Sequence, residues 1–182
     1  SMKDSTGTCE IENSFCNADV TVQFNTRQYG KYTCPNACNV VIHANAQNTF
    51  YSLAAAVDCS AAVNVIVHCA GREACYNAGI VCGRGACSVT ARAHRAAANV
   101  KVLAPTSTAL TITCGGGNND CQEAQFTGNT GPVTLTATGH WAAQNVQLTA
   151  AQATSWNVEC VGFQACYKGK FQAGSSASTS YT

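Results

Sequence analysis

One stretch of the chain decides the fold: it reads Val65-Ile-Val-His-Cys-Ala-Gly-Arg-Glu-Ala-Cys75, an alternating segment and a small-residue loop, each ending in cysteine. The arrangement returns as Leu110-Thr-Ile-Thr-Cys-Gly-Gly-Gly-Asn-Asn-Asp-Cys121 and as Trp156-Asn-Val-Glu-Cys-Val-Gly-Phe-Gln-Ala-Cys166. The first cysteines of the three copies stand at positions 69, 114 and 160, which are 45 and 46 residues apart. A fixed internal period of this length is typical of repeat proteins, in which each unit stacks on the next.

Further strand-like segments lie between these copies at half that spacing. Alternation of apolar and polar residues predicts half-buried strands that end at positions 44, 69, 93, 114, 137 and 160, and a second series interleaves with them. We therefore predict an all-β, disulfide-rich fold: a right-handed parallel β-helix (β-solenoid) of about seven turns, with about 23 residues per turn. The alternative is an antiparallel β-sandwich, which the steady step of about 23 residues disfavours.

Thirteen cysteines in 182 residues are the strongest feature of the composition. No Cys-x-x-Cys motif is present, so disulfides in an oxidising compartment explain them better than zinc does. Local spacing predicts six pairs that close corner loops, and it leaves Cys59 unpaired. A rival scheme stacks Cys34, Cys59 and Cys82 on successive turns, and sequence alone does not decide between the two. The six local pairs are Cys9 with Cys16, Cys34 with Cys38, Cys69 with Cys75, Cys82 with Cys87, Cys114 with Cys121 and Cys160 with Cys166.

Charge and length limit the classes of partner. The net charge is +1 and only 10% of residues are charged, so nothing favours nucleic acid or an anionic membrane, and no apolar run is long enough to span a bilayer. We expect an N-terminal lead-in over residues 1–8 that begins with an expression remnant, one β-helix domain over 9–173, and a disordered Ser/Thr-rich tail over 174–182. The expected location is extracellular, either secreted or at the cell surface.

A basic cluster is the first candidate binding surface. Four arginines against one acid, Glu73, lie between positions 68 and 95. Because arginine binds carboxylates and sulfates with two parallel hydrogen bonds, an acidic polysaccharide is a fitting ligand. The predicted register places His68 and Arg92 in one outward column and stacks Arg72 on Arg95. The candidate ligand-binding residues are His68, Arg72, Arg84, Arg92 and Arg95.

A row of threonines is the second candidate surface. Thr-x-Thr or Thr-x-Arg recurs on three successive predicted strands. The segment from Thr111 to Cys121, together with Thr134 and Thr136, resembles the ice-binding face of insect antifreeze solenoids, which repeat Thr-Cys-Thr strands with short disulfide corners, although their turns are about half as long. The resemblance implies ice binding, while strand propensity also explains threonine here. The residues of the expected flat face are Thr90, Thr111, Thr113, Thr134 and Thr136.

Catalytic signatures are weak. Many polysaccharide lyases and hydrolases are β-helices, but glycoside hydrolysis needs two flanking carboxylates, and only Asp120 and Glu123 lie close enough in sequence to suggest a pair. We therefore expect a non-catalytic structural or adhesive protein that presents flat faces to a glycan or a cell-surface protein. A polysaccharide lyase or hydrolase and an ice-binding protein are the alternatives. We expect no cofactor and no metal, and we leave open self-association or membership of a longer array.

Overall fold

The structure, a computed structural model, describes residues 2–3, 9–11, 14–52, 56–128, 130–174 and 178–181, and it describes side chains over 16–52, 56–128 and 130–174. Within these residues every regular element is a strand. The strands are β1 (Met2–Lys3), β2 (Cys9–Ile11), β3 (Ser14–Cys16), β4 (Val20–Phe24), β5 (Tyr32–Thr33), β6 (Asn39–Ala44), β7 (Val57–Asp58), β8 (Asn64–Cys69), β9 (Gly79–Val81), β10 (Ala86–Ala91), β11 (Lys101–Leu103), β12 (Ala109–Gly115), β13 (Gln125–Thr127), β14 (Val133–Thr138), β15 (Gln147–Ala150), β16 (Ser155–Val161), β17 (Lys170–Ala173) and β18 (Ser178–Tyr181).

Two parallel sheets make up the rod. The long-strand sheet has eight strands in the order β18-β16-β14-β12-β10-β8-β6-β4, and the short-strand sheet has seven in the order β17-β15-β13-β11-β9-β7-β5. Strands from alternate positions in the chain are neighbours, so each turn passes once through each sheet before it stacks on the next. This confirms the predicted β-solenoid of about 7 turns with about 23 residues per turn. Strands β1, β2 and β3 form a separate antiparallel sheet.

The register of the long-strand sheet corrects one predicted strand. We predicted a strand that ends at position 93, but β10 ends at Ala91, which pairs with Cys69 on one side and with Cys114 on the other. The prediction slipped by two residues because Thr90 and Arg92 both fit an outward position, and a shift of two keeps every side chain on its own face. Arg92 therefore begins the corner after the strand.

A third side, built from turns, closes each coil between the long strand and the short strand. Its backbone alternates into the left-handed region, as at Asn77 (φ 51°), Asn99 (φ 55°) and Asn145 (φ 54°). Asparagine tolerates this conformation better than most residues do. The N–H groups of these three asparagines donate to the following turn, for example from Asn77 to the carbonyl of Ala98 at 2.8 Å. The third side is therefore hydrogen-bonded along the rod, as the two sheets are.

The core is a narrow column of apolar side chains. In the long-strand sheet, buried and part-exposed residues alternate along β8, and Val65 and Val67 are fully buried. The third side contributes small residues such as Ala74 and Ala96, and the short-strand sheet contributes larger ones such as Phe126. Small residues suit an interior of this width because close packing leaves no space for longer side chains.

Disulfides join the corners, and two of them differ from the prediction. The structure bonds Cys34 to Cys59 and Cys16 to Cys38, with Cα separations of 4.6 Å and 5.2 Å, so both bonds link successive turns. Cys59 is therefore not left over. Parallel stacking puts equivalent corner positions close together, as the rival scheme predicted for Cys34 and Cys59. The side chain of Cys9 lies outside the described residues. The remaining pairs are the predicted ones: Cys69–Cys75, Cys82–Cys87, Cys114–Cys121 and Cys160–Cys166.

The C-terminal segment also differs from expectation. Within the predicted disordered tail, β18 forms and pairs in parallel with β16, which places Ser178 beside Ser155. Serine alternates there with threonine and tyrosine, which fit a strand, and the edge of β16 supplies the hydrogen-bonding partners that an isolated tail lacks.

Candidate functional site on the long-strand sheet

Hydroxyl side chains form a regular array on the outer face of the long-strand sheet. Two residues from each of β10, β12 and β14 point outward, and the register aligns them in two columns. Neighbouring strands lie ~4.8 Å apart and alternate residues ~6.6 Å apart, so the hydroxyls occupy an almost rectangular grid. We call this array the hydroxyl face; its columns are Ser88, Thr111 and Thr134, and Thr90, Thr113 and Thr136.

The hydroxyl face corrects the predicted outward columns. Ser88 takes the place given to Thr90, and Thr90 takes the place given to Arg92, because β10 ends two residues earlier than predicted. Arg92 therefore does not interrupt the threonine column. His68 precedes Thr90 in that column, and Glu159 follows its last threonine.

A hollow of about 270 Å³ adjoins one end of the hydroxyl face. The imidazoles of His43 and His68 stack on neighbouring strands with ring centroids 4.8 Å apart and planes within 18°. Thr90 forms part of both the hollow and the hydroxyl face, and the exposed Arg92 stands at the rim. We call this feature the histidine–arginine hollow; it is lined by His43, His68, Cys69, Ala70, Thr90 and Arg92.

Positive charge dominates the hollow. Burial lowers the pKa of His68, and the nearby His43 and Arg92 lower it further because each disfavours a second positive charge. None of the described residues that line the hollow carries a carboxylate. No carboxylate in the lining of the hollow therefore neutralises the charge of Arg92.

The rest of the predicted basic cluster is dispersed. Arg95 donates to Glu73 at 3.4 Å and to the hydroxyl of Tyr76 at 3.0 Å, so its charge is already partnered. The stacking pattern of the third side aligns Arg95 with Glu73 and places Arg72 beside His94, which corrects the predicted stacking of Arg72 on Arg95.

Arg84 lies far from the hollow. It precedes β10 while Arg92 follows it, so the six residues of the strand separate them by ~20 Å. Of the five predicted ligand-binding residues, the structure brings only His68 and Arg92 into one site.

The candidate catalytic carboxylates do not form a site. Asp120 is fully buried, and burial raises its pKa to about 6, a rise that a hydrogen bond from the Gly117 N–H partly opposes. Glu123 is exposed. A glycosidase acid must reach a solvent-borne substrate, and Asp120 does not. Among the described residues, no group of three or more His, Cys, Asp or Glu side chains has an arrangement that would hold a metal ion.

Sequence reasoning missed an aromatic ladder on the third side. The rings of Tyr51 and Tyr76 stack with centroids 4.9 Å apart. The guanidinium of Arg95 lies 4.8 Å from the Tyr76 ring centroid, and that of Arg27 lies 5.9 Å from the Tyr51 ring centroid. The separation of Tyr51 and Tyr76 by one repeat step was the available signal.

Comparisons with known proteins find no relative. No protein-family model matches the chain, and neither a curated protein nor a solved structure does. The described residues contain no helix long and apolar enough to cross a membrane. The fold itself therefore defines the class: a disulfide-bonded parallel β-solenoid, whose six described disulfides indicate an oxidising environment.

Proposed function

We propose that this chain is a non-catalytic extracellular protein that lays its hydroxyl face on an extended glycan. The observation that carries the proposal is the register of the face: three successive strands each place two hydroxyls on a parallel sheet. Hydroxyls both donate and accept hydrogen bonds, which matches the hydroxyls of a sugar chain. Because the sheet fixes the backbone beneath them, little conformational entropy is lost on binding.

The exposure of the face varies along its length, and Thr90, which is 8% exposed, is buried. Thr111 is exposed, whereas Thr113, Thr134 and Thr136 are half-buried among their neighbours. The strands alternate inward apolar and outward polar residues, so removal of the outward hydroxyls leaves the core unchanged.

Co-sedimentation with insoluble polysaccharides tests the proposal. The variant carries valine at Thr111, Thr113 and Thr134, because valine keeps the shape and the strand propensity of threonine but lacks the hydroxyl. The matched control carries valine at Thr127 and Thr149, which are register neighbours on the outer face of the short-strand sheet. We expect the face variant to lose binding and the control to keep it. New reducing or unsaturated ends in the supernatant would contradict a non-catalytic role.

Ice binding is the second candidate, and the same face favours it. A flat, regular hydroxyl grid on a rigid sheet also suits the surface of a crystal, and within the grid no charged residue intervenes. Measurement of partition into growing ice with the same two variants separates the candidates. Partition of the wild type into ice without polysaccharide binding would replace the glycan proposal, and its absence would leave the glycan.

A further inference from the structure

We propose that the histidine–arginine hollow is an oxyanion site that takes the sulfate ester of an acidic glycan lying on the hydroxyl face. This inference rests on the proposed function and specifies its ligand. It begins from the donors of the hollow, for which the structure gives no hydrogen-bond or ion-pair partner among the described side chains: the guanidinium of Arg92, the imidazoles of His43 and His68, and the hydroxyl of Thr90.

The arrangement of these donors suits a tetrahedral anion. The guanidinium stands at the rim, the two imidazoles stack along one wall, and the threonine hydroxyl lies on the next strand beyond His68. A sulfate ester presents three terminal oxygens in different directions, so that it accepts from all three kinds of donor. Charge-assisted hydrogen bonds of this type are about twice as strong as neutral ones.

The electrostatics of the hollow favour an anion over a metal ion or a neutral group. Arg92 carries a permanent positive charge, and Glu73 on the third side is already engaged by Arg95. Burial lowers the pKa of His68, and the neighbouring His43 and Arg92 lower it further. A bound anion would offset this field and restore a proton to the imidazole wall.

Continuity with the hydroxyl face connects the anion to a glycan. Thr90 lines the hollow and also heads the column that continues through Thr113 and Thr136. An anionic group in the hollow therefore places the attached chain at the start of the hydroxyl grid. A hollow of about 270 Å³ accommodates a sulfate with part of its sugar ring and not a folded macromolecule.

Titration calorimetry with dextran sulfate and with uncharged dextran tests the site. The variant is Arg92→Gln, and the matched control is Arg84→Gln, which removes the same charge from an exposed corner at the other end of β10. We expect Arg92→Gln to weaken dextran sulfate binding about tenfold or more, the control to change it little, and inorganic sulfate to compete with the polymer. Thermal unfolding of both variants verifies that they are folded.

The outcomes separate this site from the proposed function. Equal weakening by Arg92→Gln and Arg84→Gln would indicate diffuse charge attraction and overturn the site. Wild-type binding to neutral polysaccharide but not to dextran sulfate would overturn the site and keep the glycan-binding proposal. Loss of dextran sulfate binding in Arg92→Gln with unchanged binding in the threonine-to-valine variant would support the hollow while contradicting the role of the hydroxyl face.

Discussion

Replacement of Asp120 by asparagine is expected to stabilise the protein at neutral pH. By its place in the turn, Asp120 corresponds to Ala96 in the preceding turn and to Ala142 in the following one, and all three side chains are buried. One carboxylate oxygen accepts from the N–H of Gly117 at 2.9 Å, and the other has no hydrogen-bond partner in the described structure. Ionisation of the Asp120 carboxyl group between these buried alanines therefore destabilises the folded state.

The size of the effect follows from the pKa of Asp120. Burial raises that pKa from 3.8 to about 6. Since one pH unit corresponds to 1.36 kcal/mol, the charged form costs about 3 kcal/mol in the folded state. A raised folded-state pKa means that the proton stabilises the fold below pH 3.8 and that this contribution is lost as the pH rises through about 6. The free energy of unfolding of Asp120→Asn is therefore expected to exceed that of the wild type by about 2 kcal/mol more at pH 8 than at pH 4.

Urea unfolding with intact disulfides, measured at pH 4 and pH 8, provides the check. His68 titrates in both proteins, so its effect cancels in the difference between their free energies of unfolding. On its own, the lowered pKa of His68 would make stability rise with pH, which is opposite to the effect of Asp120. Asp58 does not interfere, because its hydrogen bond from Lys31 lowers its pKa to about 2. The exposed Glu123→Gln serves as the control. A difference in free energy of unfolding between variant and wild type that stays constant with pH would refute the argument that Asp120 is ionised and buried.

Two further predictions concern the stacking of turns. Gly83→Ala is expected to destabilise the protein by about 1–3 kcal/mol, because the new methyl group would collide with the backbone carbonyl of Ala62 in the previous turn. The control Gly30→Ala is expected to be neutral, because no other atom lies within 4 Å of the added methyl group. Equal thermal unfolding midpoints of the two variants would contradict the close approach of Gly83 to Ala62. Replacement of both Cys34 and Cys59 by alanine is expected to lower the free energy of unfolding by about 3.5 kcal/mol, because their disulfide closes a loop with a sequence separation of 25. An unchanged midpoint in denaturant unfolding would argue against the inter-turn pairing.

The repeat could be predicted from sequence because each turn of a solenoid uses a similar number of residues, so the strand pattern recurs at a fixed spacing. The cysteines at 69, 114 and 160 mark every second turn, and the alternation in Val65–Cys69 fixes which residues point inward. The four corner disulfides followed from the same spacing. The inter-turn bond between Cys34 and Cys59 was available only as the rival scheme, in which these cysteines stack on successive turns, because spacing alone does not decide between local and inter-turn pairing.

The register around Thr90 shows why the candidate site was only partly predicted. A register error of two residues keeps every side chain on its own face of the sheet, so the sequence pattern did not argue against placing Arg92 in the threonine column. Since β10 ends at Ala91, Arg92 already belongs to the corner, although its N–H still donates to the carbonyl of Cys69 at 3.2 Å. The correction makes the threonine column continuous and moves the guanidinium to the rim of the hollow.

The third side was missed because its signal lies in backbone conformation rather than in hydrophobic period. Left-handed residues alternate along it, and several are not asparagine or glycine, as at Glu73 (φ 55°) and Arg95 (φ 56°). Such residues are held there by hydrogen bonds to the adjoining turns: the N–H of Glu73 donates to His94, and that of Arg95 to Asn118, both at 3.0 Å. Conformations that are unfavourable in an isolated turn therefore become stable only when turns stack, and no single turn of the sequence contains that information.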